Sequence, residues 1–193
     1  MSVPALADPA TEPRTRDELR WRRRSLAALL LLVPLALAVA SYESLRSLLR
    51  SEDLFARDVA WGSAAAFGGS EWRLVELKGG KDFAGLPPGA VAVEADFEVM
   101  VGDADLENRW SRCKVMLVDT EGHTWLPASI AGLRLLEGMM GCNSAMFSGA
   151  KSGDVLKLGE TFIVPGYATS GIRAAVGLGS ERPYYLRFAR PSA

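Results

Sequence analysis

"AVAVEADFEVMV", residues 90–101, is the stretch whose reading decides the fold. Val91, Val93, Ala95, Phe97, Val99 and Val101 alternate with Ala92, Glu94, Asp96, Glu98 and Met100. Side chains two apart along an extended chain point the same way, so six apolar groups share one face and the carboxylates the other. Helical geometry would instead spread them around the axis. The pattern predicts a strand with one face buried and one face wet. "LPPGA" (86–90) supplies a turn signal just before it.

Working outward, comparable segments recur at the spacing of an all-β fold. "EWRLVELK" (71–78) is rich in strand formers, and its alternation slips once, as it would at a bulge. "CKVMLVDTEGHTWLP" (113–127) reads as strand, turn at Thr120-Glu121-Gly122, and strand. "ETFIVP" (160–165), "GIRAAVGL" (171–178) and "PYYLRFA" (183–189) complete the set. Ile172, Ala174, Val176 and Leu178 share one face of their strand; Tyr184, Leu186 and Phe188 share one of theirs. Only "ASIAGLRLLEGMM" (128–140) has helical character, weakened by Gly132 and Gly138. About seven short strands imply a sandwich of two antiparallel sheets over residues 63–193. Val91, Val93, Phe97, Val99, Leu117, Phe162, Val176 and Leu186 are its expected core. "GSAAAFGG" (62–69) reads as a linker in front of it.

Short patterns within this body resemble a known group. A strand ending in "VDTEG" (118–122) leads to Trp125-Leu126-Pro127, then "LGETFIVP" (158–165), then a last strand ending "LRF" (186–188). Together, over residues 90–189, these resemble bacterial extracytoplasmic immunoglobulin-like domains of unknown function. The resemblance implies an immunoglobulin-like sandwich behind a single N-terminal signal or anchor. It implies no reaction.

The opposite end of the chain carries a different signal. The 22 basic and 23 acidic residues nearly balance, so total charge gives no reason to expect a nucleic-acid partner. Their placement is uneven: residues 1–24 hold six arginines against four acids, and the remainder is mildly acidic. From Ser25 to Tyr42 no residue is charged. As a helix this run spans about 27 Å, close to the thickness of a bilayer core. Arg20, Arg22, Arg23 and Arg24 sit on its N-terminal side, which predicts a cytoplasmic N-terminus and an external C-terminal body. Pro34 does not exclude a span, since membrane helices tolerate proline. A cleaved signal is the competing reading, with Ala38-Val39-Ala40 as its small-x-small site. Against cleavage, Leu45, Leu48 and Leu49 continue the helical spacing beyond that point. The predicted organisation is a disordered cytoplasmic tail (1–24), a transmembrane helix (25–42), a helical stalk or linker (43–62) and the extracytoplasmic domain (63–193).

Candidate chemistry is sparse. Cys113 and Cys142 are the two cysteines, and outside the cytoplasm two cysteines usually pair. A structural disulfide between a strand start and a Gly-rich loop is expected; two buried free thiols remain open, as does a reactive Cys142. The last has a specific form, since L,D-transpeptidases use a catalytic Cys after a Gly with an upstream His, and this chain has Gly141-Cys142 and His123. The surroundings depart from that family: Met139-Met140 precede and Asn143-Ser144 follow where Ser or His and Arg belong. His123, the single histidine, follows a turn glycine and reads as an exposed turn residue; two distant cysteines do not complete a zinc set around it. Glu94, Asp96, Glu98, Asp103, Asp105 and Glu107 form the densest acidic group, and "GDADLEN" (102–108) is loosely like a calcium loop. It lacks the spacing of one, so a solvated strand face running into a turn stands beside weak calcium binding. No phosphate loop and no Gly-x-Ser-x-Gly elbow is present. Trp61, Trp72, Trp110 and Trp125 read as core or flank residues.

The resulting expectation is a non-catalytic, membrane-anchored module that contacts the bilayer through residues 25–42 and a protein of the cell envelope through its domain, with no cofactor. A cysteine-dependent transpeptidase using Cys142 and a ligand- or calcium-sensing ectodomain are the alternatives.

Overall fold

The computed structural model describes residues 16–81, 86–128 and 138–190, with the backbone alone for residues 80 and 81. Most of the segment expected to have helical character, 129–137, lies outside the described residues. The chain divides into two compact units, one ending at Ser47 and the other starting at Leu48.

The first unit is built on α1 (Arg16–Ser51), 36 residues with no buried side chain. Asp17 and Glu18 in its first turn and Arg50 in its last both complement the helix dipole. It is one continuous helix through Pro34 and past Tyr42, so the expected boundaries at 24 and 42 leave no mark in the backbone. Residues 16–24, expected as disordered tail, are its first turns; residues 1–15 lie outside the described residues. One apolar helix of this length and composition is long enough to cross a membrane.

The second unit is a β-sandwich. One sheet orders β2 (Ala64–Phe67), β3 (Ser70–Lys81), β4 (Ala90–Val101) and β7 (Val155–Pro165) as β2-β3-β4-β7. The other holds β1 (Phe55–Val59), β5 (Lys114–Val118), β6 (Thr124–Trp125), β8 (Arg173–Gly177) and β9 (Tyr184–Phe188), ordered β1-β9-β8-β5-β6. With β3, β4 and β7 in the places of strands A, B and E and β5, β6, β8 and β9 in those of C, C′, F and G, the order is immunoglobulin-like. Among the described strands every pair is antiparallel except β1 with β9, which run parallel from Phe55↔Tyr184 to Val59↔Phe188.

The inner face of β4 is buried as the alternation predicts, but the opposite face is not uniformly wet: Ala92 and Asp96 are buried, Glu94 and Glu98 half-buried, and Met100 exposed. Val93, Ala95, Phe97, Val99 and Val101 are 0–1% exposed, whereas Val91, also expected in the core, is only half-buried where β4 begins. Phe97 meets Phe188 of the facing sheet edge-on with ring centroids 5.5 Å apart, one of the contacts that hold the layers together. The slip expected in residues 71–78 is a register shift between Leu74 and Glu76. The inward faces of β8 and β9 are as the sequence implies, with Ile172, Ala174, Val176, Leu178, Leu186 and Phe188 buried and Tyr184 exposed at the strand start. Trp72 and Trp110 are fully buried and packed on each other at 4.7 Å, Trp125 is partly buried, and Trp61 is exposed rather than core.

Two expectations at the head of the domain need correction. The stalk expected over 43–62 is helical only to Ser51, and β1 occupies Phe55–Val59 within it. Short strands of this kind carry little periodicity of their own, and β1 forms because β9 offers it a hydrogen-bonding edge. The segment 62–69 is likewise not a linker. Ala64–Phe67 pair with β3 around a two-residue loop, Gly68-Gly69, whose φ angles of +58° and +71° are those of the tight turn that hairpins favour. Gly68 suits this position both by its positive φ and because a Cβ there would lie 2.2 Å from Leu178 Cδ1 and force that side chain to move.

Candidate functional site

Cys113, just before β5, and Cys142, which opens the short helix α3 (Cys142–Ala145), are joined in a disulfide with Cα atoms 5.7 Å apart. Cys142 thus begins a helical turn where a Gly-rich loop was expected. The bridge links the start of a strand in one sheet to a segment lying on the edge of the other, for Met140 pairs with Leu158 of β7. Closing a loop of 29 residues stabilises by about 3–4 kcal/mol in the chain-entropy picture. Glu160 of β7 supports the junction by accepting the Cys142 N–H at 2.9 Å. Burial pushes the Glu160 carboxyl above its ordinary range, and that hydrogen bond partly offsets the rise. The sequence offers no signal for Glu160, whose partner lies 18 residues away.

The acidic stretch of 94–107 is dispersed. Glu98 pairs with Arg73 across the sheet. Asp103 binds Arg109 Nε at 2.9 Å and accepts the Asp105 N–H, while both Asp105 oxygens accept from the Asn108 side-chain amide. Asp103 and Asp105 are turned to neighbours along the chain and Glu98 to the adjacent strand, and no calcium cradle is formed by the described residues.

Convergence occurs elsewhere, in the β5–β6 hairpin. Asp119, Glu121 and His123 bring one ligand atom each within 4.8 Å of one another. Asp119 organises the turn: its Oδ1 accepts the N–H groups of Glu121 (2.8 Å) and His123 (2.9 Å), and its Oδ2 lies 2.8 Å from His123 Nδ1. Burial pushes the Asp119 carboxyl up, but the hydrogen bonds from the His123 ring and the two N–H groups outweigh it and hold it below the usual range. The same contact holds the His123 imidazole above its ordinary value, helped by the Glu121 charge. A carboxylate already accepting three hydrogen bonds has little left for a cation, so the cluster reads as a turn lock with an exposed histidine. Sequence reading had His123 right as a turn residue but missed Asp119, four positions earlier, as its partner.

A concavity lies beside that hairpin, at the end of the sandwich where β1 finishes. It has a volume of about 650 Å³ and is lined by Asp58 and Val59, Thr120, Ser170 and Gly171, and the arginines 173 and 190, among others. Asp58, Arg187 and Ala175 face one another across β1, β9 and β8, which places their side chains on the outer face of the sheet. Arg187 grips Asp58 with two parallel hydrogen bonds, Nε to Oδ1 at 2.7 Å and Nη2 to Oδ2 at 2.9 Å. That grip holds the Asp58 carboxyl below its usual range and the Arg187 guanidinium above its own. Arg173 approaches Asp58 Oδ1 only to 3.8 Å, and Arg190 donates from Nη1 to the carbonyl of Thr169. Nothing in the sequence points to this group, since its residues come from four separate segments.

The fold and the site define a disulfide-bridged, immunoglobulin-like β-sandwich domain preceded by one long apolar helix. The chain matches no protein-family model and no curated protein. Among solved structures it is similar to an uncharacterised β-sandwich protein from Clostridium difficile, with 9% identity, a TM-score of 0.42, and coverage of 72% of this chain and 96% of that one. It is also similar to a conserved hypothetical protein from Bacillus anthracis, with 13% identity, a TM-score of 0.40, and coverage of 66% and 93% respectively.

Proposed function

We propose that the chain is a single-pass membrane protein whose β-sandwich stands outside the cytoplasm and binds another component of the cell envelope without catalysing a reaction. In this reading residues 1–24 are cytoplasmic, 25–42 span the bilayer, and the sandwich is extracytoplasmic. The observation that carries it is α1: an uncharged run behind four arginines that continues as unbroken helix beyond Ala40, where a signal would be cut. The disulfide is in keeping with an oxidising compartment. It also engages the sulfur that a transpeptidase would need as thiolate, so the geometry favours a binding role for the domain. No separate observation favours a calcium sensor built on residues 94–107.

Topology and retention are tested together. In intact cells, a membrane-impermeant maleimide should label a Ser152→Cys variant and leave a Ser2→Cys variant unlabelled. N-terminal sequencing of the membrane-bound protein should show no cleavage near Ala40. A mature chain starting at Ser41, or labelling of position 2 alone, would sink the proposal. The binding role is tested by photo-crosslinking from the cleft in whole membranes, where a discrete adduct lost on Arg173→Glu is expected and a smear unaffected by it would count against a specific partner.

A further inference from the structure

We propose that the cleft at the end of β1 is an oxyanion-binding site, taking a phosphate or carboxylate group between Arg173 and Arg190. The inference does not depend on the membrane reading above. It starts from charge: one carboxylate, Asp58, lies among the cleft-lining side chains, and both its oxygens are engaged by Arg187 from outside the cleft. Arg173, at 3.8 Å from Asp58, is beyond hydrogen-bonding distance, and among the described residues Arg190 has only a neutral carbonyl as partner. Two arginines therefore line the cleft. Arg173 shares Asp58 with Arg187 through a longer ion pair without a hydrogen bond, and Arg190 makes one. This leaves most of their donors uncommitted in the fork geometry that matches carboxylate and phosphate oxygens. Of the acidic turn next door only Thr120 lines the cleft; the Asp119 and Glu121 carboxylates lie 2.8 and 3.7 Å from the His123 ring.

The remaining lining fits the same ligand class. Thr120 and Ser170 bring hydroxyls to the wall, and among the described residues no aromatic ring lines the cleft on which a neutral sugar or a base could stack. The volume of about 650 Å³ is in the range of small-molecule sites. A ligand with one oxyanion and a polar body would place the anion between the arginines and the rest toward solvent.

Pyrophosphate and citrate are the probes, titrated into the full chain held in nanodiscs of zwitterionic lipid, with the arginine Nε–H NMR signals as readout. Saturable shifts at Arg173 and Arg190, weakening as salt is raised, are expected. Arg173→Gln and Arg190→Gln should each reduce affinity by about tenfold or more, as loss of a charge-assisted hydrogen bond does. Arg173→Lys should fall between, and Arg57→Gln, which alters an arginine stacked on Tyr184 away from the cleft, should change nothing. If Arg190→Gln fails to fold, the two Arg173 variants decide. A second arm uses nanodiscs containing phosphatidylglycerol: shifts that appear there without added probe would identify a lipid headgroup as the source of the anion. Absence of saturable shifts in both arms, or equal weakening by Arg57→Gln, would overturn the site.

Discussion

Asp53 and Asp58 lie just before β1 and near its end, and each ties that segment to distant parts of the chain, Asp53 to the turn before β9 and the start of β5, Asp58 to β9 itself. Their chemistry is alike and their settings are opposite. Asp53 is 4% exposed at its side chain, with Arg182 Nε at 3.2 Å from Oδ1 and Lys114 Nζ at 2.8 Å from Oδ2. Its carboxylate rests on Gly177, where a Cβ would come within 2.7 Å of Oδ2. Asp58 has the better geometry, a bidentate fork to Arg187, but is 60% exposed. Geometry alone would rank Asp58 as the stronger tie. Burial reverses the order, because removing one member of a buried pair strands its partner in low dielectric, whereas water reoccupies an exposed one.

Three measurements test that contrast. Asp53→Ala should cost about 3–5 kcal/mol in chemical denaturation, since Arg182, its side chain 12% exposed, would be left unpaired in a largely dry setting. A loss under about 1 kcal/mol would erase the distinction between the two sites. Gly177→Ala asks whether the carboxylate's seat is rigid: about 1–3 kcal/mol is expected from overpacking, and near-zero cost would mean that Asp53 can shift aside. Asp58→Ala should cost about 1 kcal/mol or less and the loss should shrink with added salt; a salt-independent loss of several kcal/mol would contradict solvent screening of the pair.

The smallest effect concerns His123. Its folded-state value lies above the ordinary histidine value because of Asp119, so the contact stabilises most when the ring is charged. Its contribution is fully present below about pH 6.5 and is lost as pH rises through the folded-state value. The melting-temperature difference between the protein and His123→Gln should therefore be larger at mildly acidic than at mildly alkaline pH. A histidine titration by NMR centred at or below the ordinary value would show that the Asp119 contact does not form in solution.

Phe97 and Gly68 show how far local pattern reaches. The burial of Phe97 is legible because its neighbours at every second position repeat the same instruction, and no distant residue is needed to read it. Gly68-Gly69 was also legible in principle: two glycines between short apolar segments are a hairpin signal. The four residues of β2 are too few to show periodicity, and the run of alanines there looks like spacer. Arg173 is the contrary case. It stands in an alternating strand as one more outward polar residue, and its significance comes wholly from Arg190 and Asp58.

The sequence by itself determined the elements whose signal is carried by consecutive residues. These are the long apolar helix, the alternating strand of 90–101, the hairpin of 113–127, and hence a β-sandwich behind a helix. The tertiary structure alone decided the parallel pairing of β1 with β9, the seat of Asp53 on Gly177 between Lys114 and Arg182, and the cleft of Asp58, Arg173 and Arg190. The physical reason is the range of the interactions. Alternation and apolarity act on neighbours and repeat along the chain, whereas an ion pair such as Asp58 with Arg187 joins residues 129 positions apart, and neither residue's surroundings in the sequence name the other.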